Sequence, residues 1–112
     1  MATSQVLYDE ADKLKDEGKL EEAVAKYQEI LAQDEAYVLA HAALAVVLGR
    51  LERFEEGIVH ARRVCDLEPN DAFSHAQLSV VYQRAFQATN NPQFIQLAED
   101  AMGRSRTIET GM

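Results

Sequence analysis

The feature that most constrains this chain is an internal repeat with a period of 34 residues. Compared with itself at that offset, the sequence places Leu20 on Phe54 and Val24 on Ile58, so large apolar residues recur in register. A fixed period of this length indicates a small structural unit that is copied along the chain. Further matches are Ile30 with Val64, Leu44 with Leu78, His41 with His75, Leu14 with Leu48 and Tyr82, and Ala11 with Ala45 and Ser79.

Each copy predicts a pair of helices. Strand-like alternation between turn signals is absent, and Ala, Leu, Glu, Gln, Lys and Arg favour helix along most of the chain. Gly18 and Pro69 are expected to end helices, and Asp71 and Asn91 are expected N-caps, with Pro92 at the first helical position after Asn91. The predicted helices span residues 4–17, 20–33, 38–50, 54–67, 72–88 and 92–108.

These positions resemble the tetratricopeptide repeat family, whose 34-residue unit is a pair of antiparallel helices. The resemblance covers about residues 4–108 and implies an all-α, right-handed superhelix of three stacked helix-turn-helix units in one domain. The units are about 4–37, 38–71 and 72–108. The residues that carry it in the second unit are Leu44, Ala45, Leu48, Phe54, Gly57, Ala61, Val64 and Pro69, and in the first Ala11, Leu14, Gly18, Leu20, Ala23, Tyr27 and Ile30.

Two departures from the family pattern carry structural expectations. Glu52 stands where the family prefers glycine, so the second hairpin either turns differently or keeps a left-handed residue there and stores roughly 1 kcal/mol of strain. If Ala98 is the counterpart of Gly57, it lies 41 residues later, seven more than one period. Seven residues make about two helical turns, and we expect them to lengthen the fifth helix without rotating its buried face.

Composition excludes several classes of function. The formal net charge of −8 argues against nucleic-acid partners, whose phosphates are bound by Lys and Arg. No apolar run approaches the roughly 20 residues that cross a bilayer. The single Cys65 and the absence of a basic and apolar leader predict a reducing, cytoplasmic setting.

The sequence offers little for catalysis, and we predict neither an enzyme nor a metal or cofactor site. His41 and His75 occupy the same repeat position, so they should lie about 10 Å apart, too far to share a zinc ion. Both are interpreted as packing residues, and Cys65 as a buried, inert thiol. His60 completes the set of histidines. Paired-cysteine metal motifs and phosphate-binding glycine loops are absent from the sequence.

The resemblance implies a binding surface on the concave side, which the first helix of each unit lines. Its middle should be small and apolar, with aromatic anchors at its margin and a charged rim that includes Asp9. An alternative is that the long fifth helix or a chain terminus buries these residues. The predicted groove residues are Tyr8, Asp12, Leu39, Ala42, Ala43, Val46, Arg50, Phe73, Ala76, Gln77, Val80 and Arg84.

The resemblance also implies a function, that of a scaffold or adaptor that binds an apolar or amphipathic peptide or helix of a partner protein. Some family members clamp an acidic chaperone tail with Lys, Asn and Arg, but this chain has none of these at the matching positions. Recognition of such a tail is therefore not expected. The alternative is a homo-oligomer in which the groove holds a neighbouring copy. The positions that match the clamp are Tyr8, Asp12, Ala43, Phe73 and Gln77.

Overall fold

The computed structural model describes residues 2–111, which form six helices and no strand. The helices differ from the sequence prediction by at most two residues at any end. They are α1 (Ser4–Asp16), α2 (Leu20–Gln33), α3 (Val38–Arg50), α4 (Phe54–Leu67), α5 (Ala72–Thr89) and α6 (Pro92–Thr110).

The helices pack as three antiparallel hairpins, α1 with α2, α3 with α4, and α5 with α6. Contacts between α2 and α3 and between α4 and α5 stack the hairpins in chain order, while α3 also touches α5. This all-α helical repeat is the predicted fold class. Because each hairpin buries its apolar face against a neighbour, the core runs through all three units. Fully buried members include Tyr27, Ile30, Leu44 and Leu48.

Helix ends follow from capping residues that the sequence identifies. The side chains of Asp71 and Asn91 accept hydrogen bonds from the backbone N–H groups of Phe73 and Gln93, at 3.2 and 3.0 Å. Both predicted N-caps are thus confirmed. Thr3, which was not predicted, caps α1 in a similar way through the N–H of Val6.

The turns inside the first two hairpins have the same geometry. Gly18 and Glu52, which are 34 residues apart, both adopt positive φ angles, of 79° and 62°. In each turn the next backbone N–H donates back to the helix, from Lys19 to Leu14 at 2.9 Å and from Arg53 to Leu48 at 2.8 Å. Of the two possibilities for this turn, the structure has the left-handed one, and Glu52 carries the steric cost that glycine avoids.

The seven extra residues of the third unit lie in both of its helices, and not in α5 alone. α5 has 18 residues where α1 and α3 have 13, and α6 begins six residues before Ala98, whereas α4 begins three residues before Gly57. An antiparallel hairpin lengthened at its closed end must grow on both sides. About one turn on each helix keeps the buried faces in register.

The last helix has the polarity expected of a helix that closes the stack. Its side chains Ala98 and Ala101 are buried and Phe94, Leu97 and Met102 are partly buried. Two buried hydroxyls fasten it to α5, since Ser79 donates to the Ala98 carbonyl and Ser105 to the Ala72 carbonyl, both at 2.8 Å. Its polar residues Gln93, Gln96, Glu99, Asp100 and Arg104 are exposed.

We expect Glu52→Gly to raise the free energy of unfolding by about 1 kcal/mol, because glycine adopts this φ angle without a steric penalty. The matched change Gly18→Ala should lower it by a similar amount at the equivalent turn. Urea unfolding followed by circular dichroism measures both. Destabilisation by Glu52→Gly would contradict the assignment of strain to this turn.

Candidate functional site

The first helices of the three units line a concave groove of about 620 Å³. Its floor consists of short apolar side chains on α3 and α5, and its walls carry larger ones. The nine predicted residues that line it are Tyr8, Leu39, Ala42, Ala43, Val46, Phe73, Ala76, Gln77 and Val80.

The groove is open to solvent, and no described part of the chain fills it. Phe73 is 79% exposed, Leu39 54%, and Val46 and Val80 about 40%. Ordinary surfaces expose single apolar side chains, but a continuous apolar concavity of this size is typical of binding sites. The alternative that α5 or a terminus covers these residues does not hold between residues 2 and 111.

A hydrogen bond connects the two helices that form the floor of the groove. The Gln77 side-chain amide on α5 donates to the Ala42 carbonyl on α3 at 3.2 Å. Alanines on both sides keep the floor shallow, so the backbone of a ligand can approach closely. The groove is thus a largely preformed surface that needs no rearrangement of the helices to open.

Tyr8 has a different position from the other predicted anchor, Phe73. Its ring lies 5.9 Å from Tyr27 and 6.1 Å from Tyr37, centroid to centroid, so it is half-buried in an aromatic cluster. Burial, followed by the nearby Asp12 carboxylate, raises the pKa of Tyr8 above its ordinary value. Tyr8 therefore forms a fixed wall at the α1 side, while Phe73 is the exposed aromatic at the α5 side.

Three of the predicted residues do not line this groove. Asp12 is engaged below it, where its carboxylate accepts from the Tyr27 hydroxyl at 2.5 Å and lies 3.6 Å from the Lys15 ammonium. Arg50 is exposed at the end of α3, and Arg84 lines a smaller adjoining cavity. Lys15, Val38 and Asp71 also lie in the groove wall.

Charge is distributed unevenly around the groove. Asp9 and Asp16 are exposed on α1, whereas Arg50 and Arg84 are exposed on α3 and α5. These side chains near the groove are acidic on α1 and basic on α3 and α5, whereas the groove wall itself carries one charge of the opposite sign on each side, Lys15 on α1 and Asp71 at the start of α5. An arrangement of this kind orients a charged or amphipathic ligand more than it adds to its affinity.

The sequence did not identify the partner of His41. His41 contacts His60 on α4, with the two Nδ1 atoms 2.9 Å apart, while the His75 Nε2 atom lies 2.9 Å from the Pro69 carbonyl oxygen. The signal that was missed is that α3 and α4 are antiparallel, which brings positions 41 and 60 together across the hairpin. This pair lies on the convex side, near Glu35 and Arg63.

The proton positions in this pair follow from its backbone partner. The Glu35 carbonyl lies 2.7 Å from His41 Nε2 and can only accept, so His41 carries its proton on Nε2 when neutral. His41 Nδ1 is then an acceptor, and His60 Nδ1 donates to it. Burial, followed by the proximity of His41, lowers the pKa of His60 below its ordinary value, against the weaker opposing effect of Glu56.

The other side chains that could take part in a reaction are engaged in structural contacts. Cys65 is buried, its Sγ lies 3.4 Å from the Ser74 carbonyl, and burial raises the pKa of the thiol to about 11. The Glu35 carboxylate forms a two-pronged ion pair with Arg63, at 2.6 and 2.7 Å, which lowers the pKa of Glu35. Residues 2–111 contain no cluster of three or more His, Cys, Asp or Glu arranged to hold a metal ion.

None of the helices described is long and apolar enough to cross a bilayer.

Comparison with solved structures identifies the fold. The second tetratricopeptide repeat domain of Spaghetti (RPAP3), bound to the HSP90 peptide SRMEEVD, superimposes with a TM-score of 0.77. The alignment covers 95% of this chain and 92% of that chain, at 19% sequence identity. The chain therefore has the fold of a three-unit tetratricopeptide repeat domain. No protein-family model matches the sequence, and no curated protein matches it either.

The His41–His60 pair predicts a pH dependence of stability. A His60 pKa below its ordinary value near 6.5 means that the folded state binds fewer protons than the unfolded state once the pH falls below about 6.5. This contribution to stability is complete above that pH and is lost as the pH falls through the folded-state pKa. The variant His60→Asn, whose amide can donate to His41 without titrating, should lack this loss.

Urea unfolding of both proteins between pH 7.5 and 5 measures the difference. We expect the free energy of unfolding of the wild type to fall more steeply than that of His60→Asn. Parallel curves would show that the pair does not contribute to the pH dependence.

Proposed function

We propose that this chain is a protein-interaction module that holds an apolar or amphipathic segment of a partner protein in its concave groove. The observation that carries the proposal is the open apolar groove itself, with Phe73 79% and Leu39 54% exposed above a floor of alanine and valine. A groove of this shape fits an extended or helical peptide, because its shallow floor admits a backbone and its walls receive alternate side chains.

The comparison supports a peptide ligand in general but not the same ligand. The solved domain with the same fold binds the peptide SRMEEVD, three of whose seven residues are acidic. Here the positions that would clamp such a peptide carry Tyr8, Asp12, Ala43, Phe73 and Gln77. Only uncharged or acidic side chains stand there, so an acidic tail of this kind is expected to bind poorly.

A catalytic role has no comparable support. The imidazoles of His41 and His60 are committed to each other and to the Glu35 carbonyl, and the Cys65 thiol is buried. A nucleophile next to a base inside a cavity, which acyl or phosphoryl transfer would need, is not formed by these groups. A scaffold or adaptor function is consistent with the groove and stays a prediction. The cytoplasmic setting stays a prediction from the sequence.

Val46→Glu tests the groove as a binding site. The substitution places a carboxylate in the middle of the apolar floor and should weaken ligand binding by more than about tenfold, since a buried charge without a partner is costly. The matched control is Val59→Glu, which makes the same change on the convex side, where Val59 is 64% exposed. Both variants should keep the helical content and melting temperature of the wild type.

The probes are dodecapeptides selected from a random display library on the immobilised wild-type protein, with affinities measured by fluorescence anisotropy. SRMEEVD serves as the acidic comparison peptide and should bind weakly. If Val46→Glu and Val59→Glu bind the selected peptides equally well, the binding site lies elsewhere on the molecule.

Self-association is the second candidate function. On α6, Ile95 is 40% exposed beside a cleft that also includes Phe86 and Met102, so one copy offers apolar side chains that a neighbour could accept. Light scattering over a concentration series distinguishes the two candidates. A peptide-binding monomer keeps a constant mass near 12.5 kDa, whereas groove-to-helix assembly raises the mass with concentration and loses that increase in Val46→Glu.

A further inference from the structure

A second apolar depression, here called the terminal cleft, lies between α5 and α6 in the last unit of the stack. It has a volume of about 420 Å³, and every residue that lines it belongs to these two helices. Its apolar walls include Phe86 on α5 and Ile95 and Met102 on α6, and Ile95 is 40% exposed. The terminal cleft shares no lining residue with the concave groove, so the two surfaces can be occupied separately.

One edge of the terminal cleft is a regular stripe of side chains on α6. The stripe residues are separated by four, three and four positions, and all of them line the cleft. They are Ile95, Glu99, Met102 and Arg106. This spacing brings side chains to one face of a helix in successive turns, and it is the spacing by which two helices pack along their length. The stripe therefore has the pattern of a face that packs against a further helix.

The two charged members of the stripe have no ion-pair partner between residues 2 and 111. Glu99 and Arg106 are both exposed, and neither takes part in any ion pair of the described chain. They lie two helical turns apart, about 10 Å along the axis, on either side of Met102. The stripe therefore carries a negative charge near its start and a positive charge near its end, with an apolar side chain between them.

We infer that this stripe is the contact between two copies of this chain, which pair through α6 as an antiparallel dimer with two-fold symmetry. With the axis next to Met102, Glu99 of each copy lies opposite Arg106 of the other copy, because the two residues are nearly equidistant from the axis. The two Met102 side chains meet at the axis. Each α6 then covers part of the terminal cleft of the other copy.

The direction of the pairing follows from the order of the charges. In a parallel pair of α6 helices, Glu99 would face Glu99 of the other copy and Arg106 would face Arg106, so that both contacts would be repulsive. In the antiparallel pair both contacts join opposite charges. Exposed ion pairs add little affinity in themselves, but the difference between two attractive and two repulsive contacts selects one arrangement.

The charge of the three units also favours contact through the last one. Residues 1–37 contain ten acids and four lysines, whereas residues 72–112 contain three acids and three arginines. Because the hairpins stack in chain order, a dimer joined at α6 places the two acidic first units at its opposite ends. Contact through the first units would instead bring two strongly acidic surfaces together.

The dimer goes beyond the proposed function, because it leaves both concave grooves free. A partner that displays two copies of the bound segment could then engage both grooves and gain affinity without any new contact. The contact itself is small. Two helices of 19 residues, about 28 Å long, bury less than the standard interface of about 1,600 Å², so we expect a dimer that forms and dissociates with concentration.

Light scattering and sedimentation equilibrium from about 1 μM to 1 mM test the dimer. We expect the mass to rise from 12.5 kDa to about twice that value and no further. Glu99→Arg and Arg106→Glu should each weaken the dimer about tenfold at low salt, since each makes both inter-copy contacts repulsive, and the effect should shrink at high salt. The controls Asp100→Arg and Arg104→Glu make the same charge changes at exposed positions of α6 outside the stripe and should leave the dimer unchanged.

Mixing the two weakened variants tests the antiparallel register directly. In a mixed dimer, the arginine introduced by Glu99→Arg faces the glutamate introduced by Arg106→Glu, and the remaining native pair is also of opposite charge. The mixture should therefore recover the association that each variant loses alone. The double variant with both changes should recover it as well. Circular dichroism, which reports helical content and melting temperature, verifies that the variants are folded.

The outcomes distinguish this inference from the functions proposed above. A constant mass of 12.5 kDa over the whole range, or stripe variants that behave like their controls, or a mixture that stays monomeric would each overturn it. Growth beyond two copies that is lost in Val46→Glu indicates groove-to-helix assembly and also overturns it, since Val46 lies outside the terminal cleft. Peptide binding by the groove is measured separately by anisotropy and stands or fails independently of the dimer.

Discussion

The structure depends on the close approach of the two helices within each hairpin. In the second unit, Gly57 faces the Ala45 carbonyl so closely that even a methyl group would lie 3.2 Å from it. In the third unit the equivalent position of the first helix carries Ser79, whose hydroxyl donates to the Ala98 backbone carbonyl. The larger apolar side chains form two clusters, one between the first and second units and one between the second and third.

The stacking of the hairpins also separates the ion-paired side chains from the apolar floor of the groove. On the convex side, Arg53 lies close to both Glu21 and Glu56, and Arg63 binds Glu35, so charged side chains connect neighbouring units. These ion pairs are exposed, and their energetic contribution is modest. On the concave side, within residues 2–111, no such network crosses the floor; the Gln77 side-chain amide donates to the Ala42 backbone carbonyl. The difference leaves an apolar surface on one face only.

Helix positions and the units could be predicted because they are local properties of the sequence. Asp71 and Asn91 cap helices through hydrogen bonds to residues two positions away, and Gly18 ends α1 through its own φ angle. The period then assigns equivalent positions, which is why Glu52 was compared with Gly18 although the sequence left its turn geometry open. Contacts between the two helices of a hairpin cannot be read from the repeat period. His41 was therefore compared with His75, at the same repeat position, and not with His60, which it contacts.

The sequence by itself determined the all-α class and the repeat, since periodicity and capping need no knowledge of the neighbours, while the face of each first helix that lines the groove followed from the resemblance to the tetratricopeptide repeat family. Only the tertiary structure decided that the groove is open, that Asp12 is engaged by Tyr27 and that the extra turns of the third unit are shared by α5 and α6. The smaller cavity that Arg84 lines likewise depends on how α3, α4 and α5 converge. Such features arise from distances between segments far apart in the chain, which a pattern of residue types does not contain.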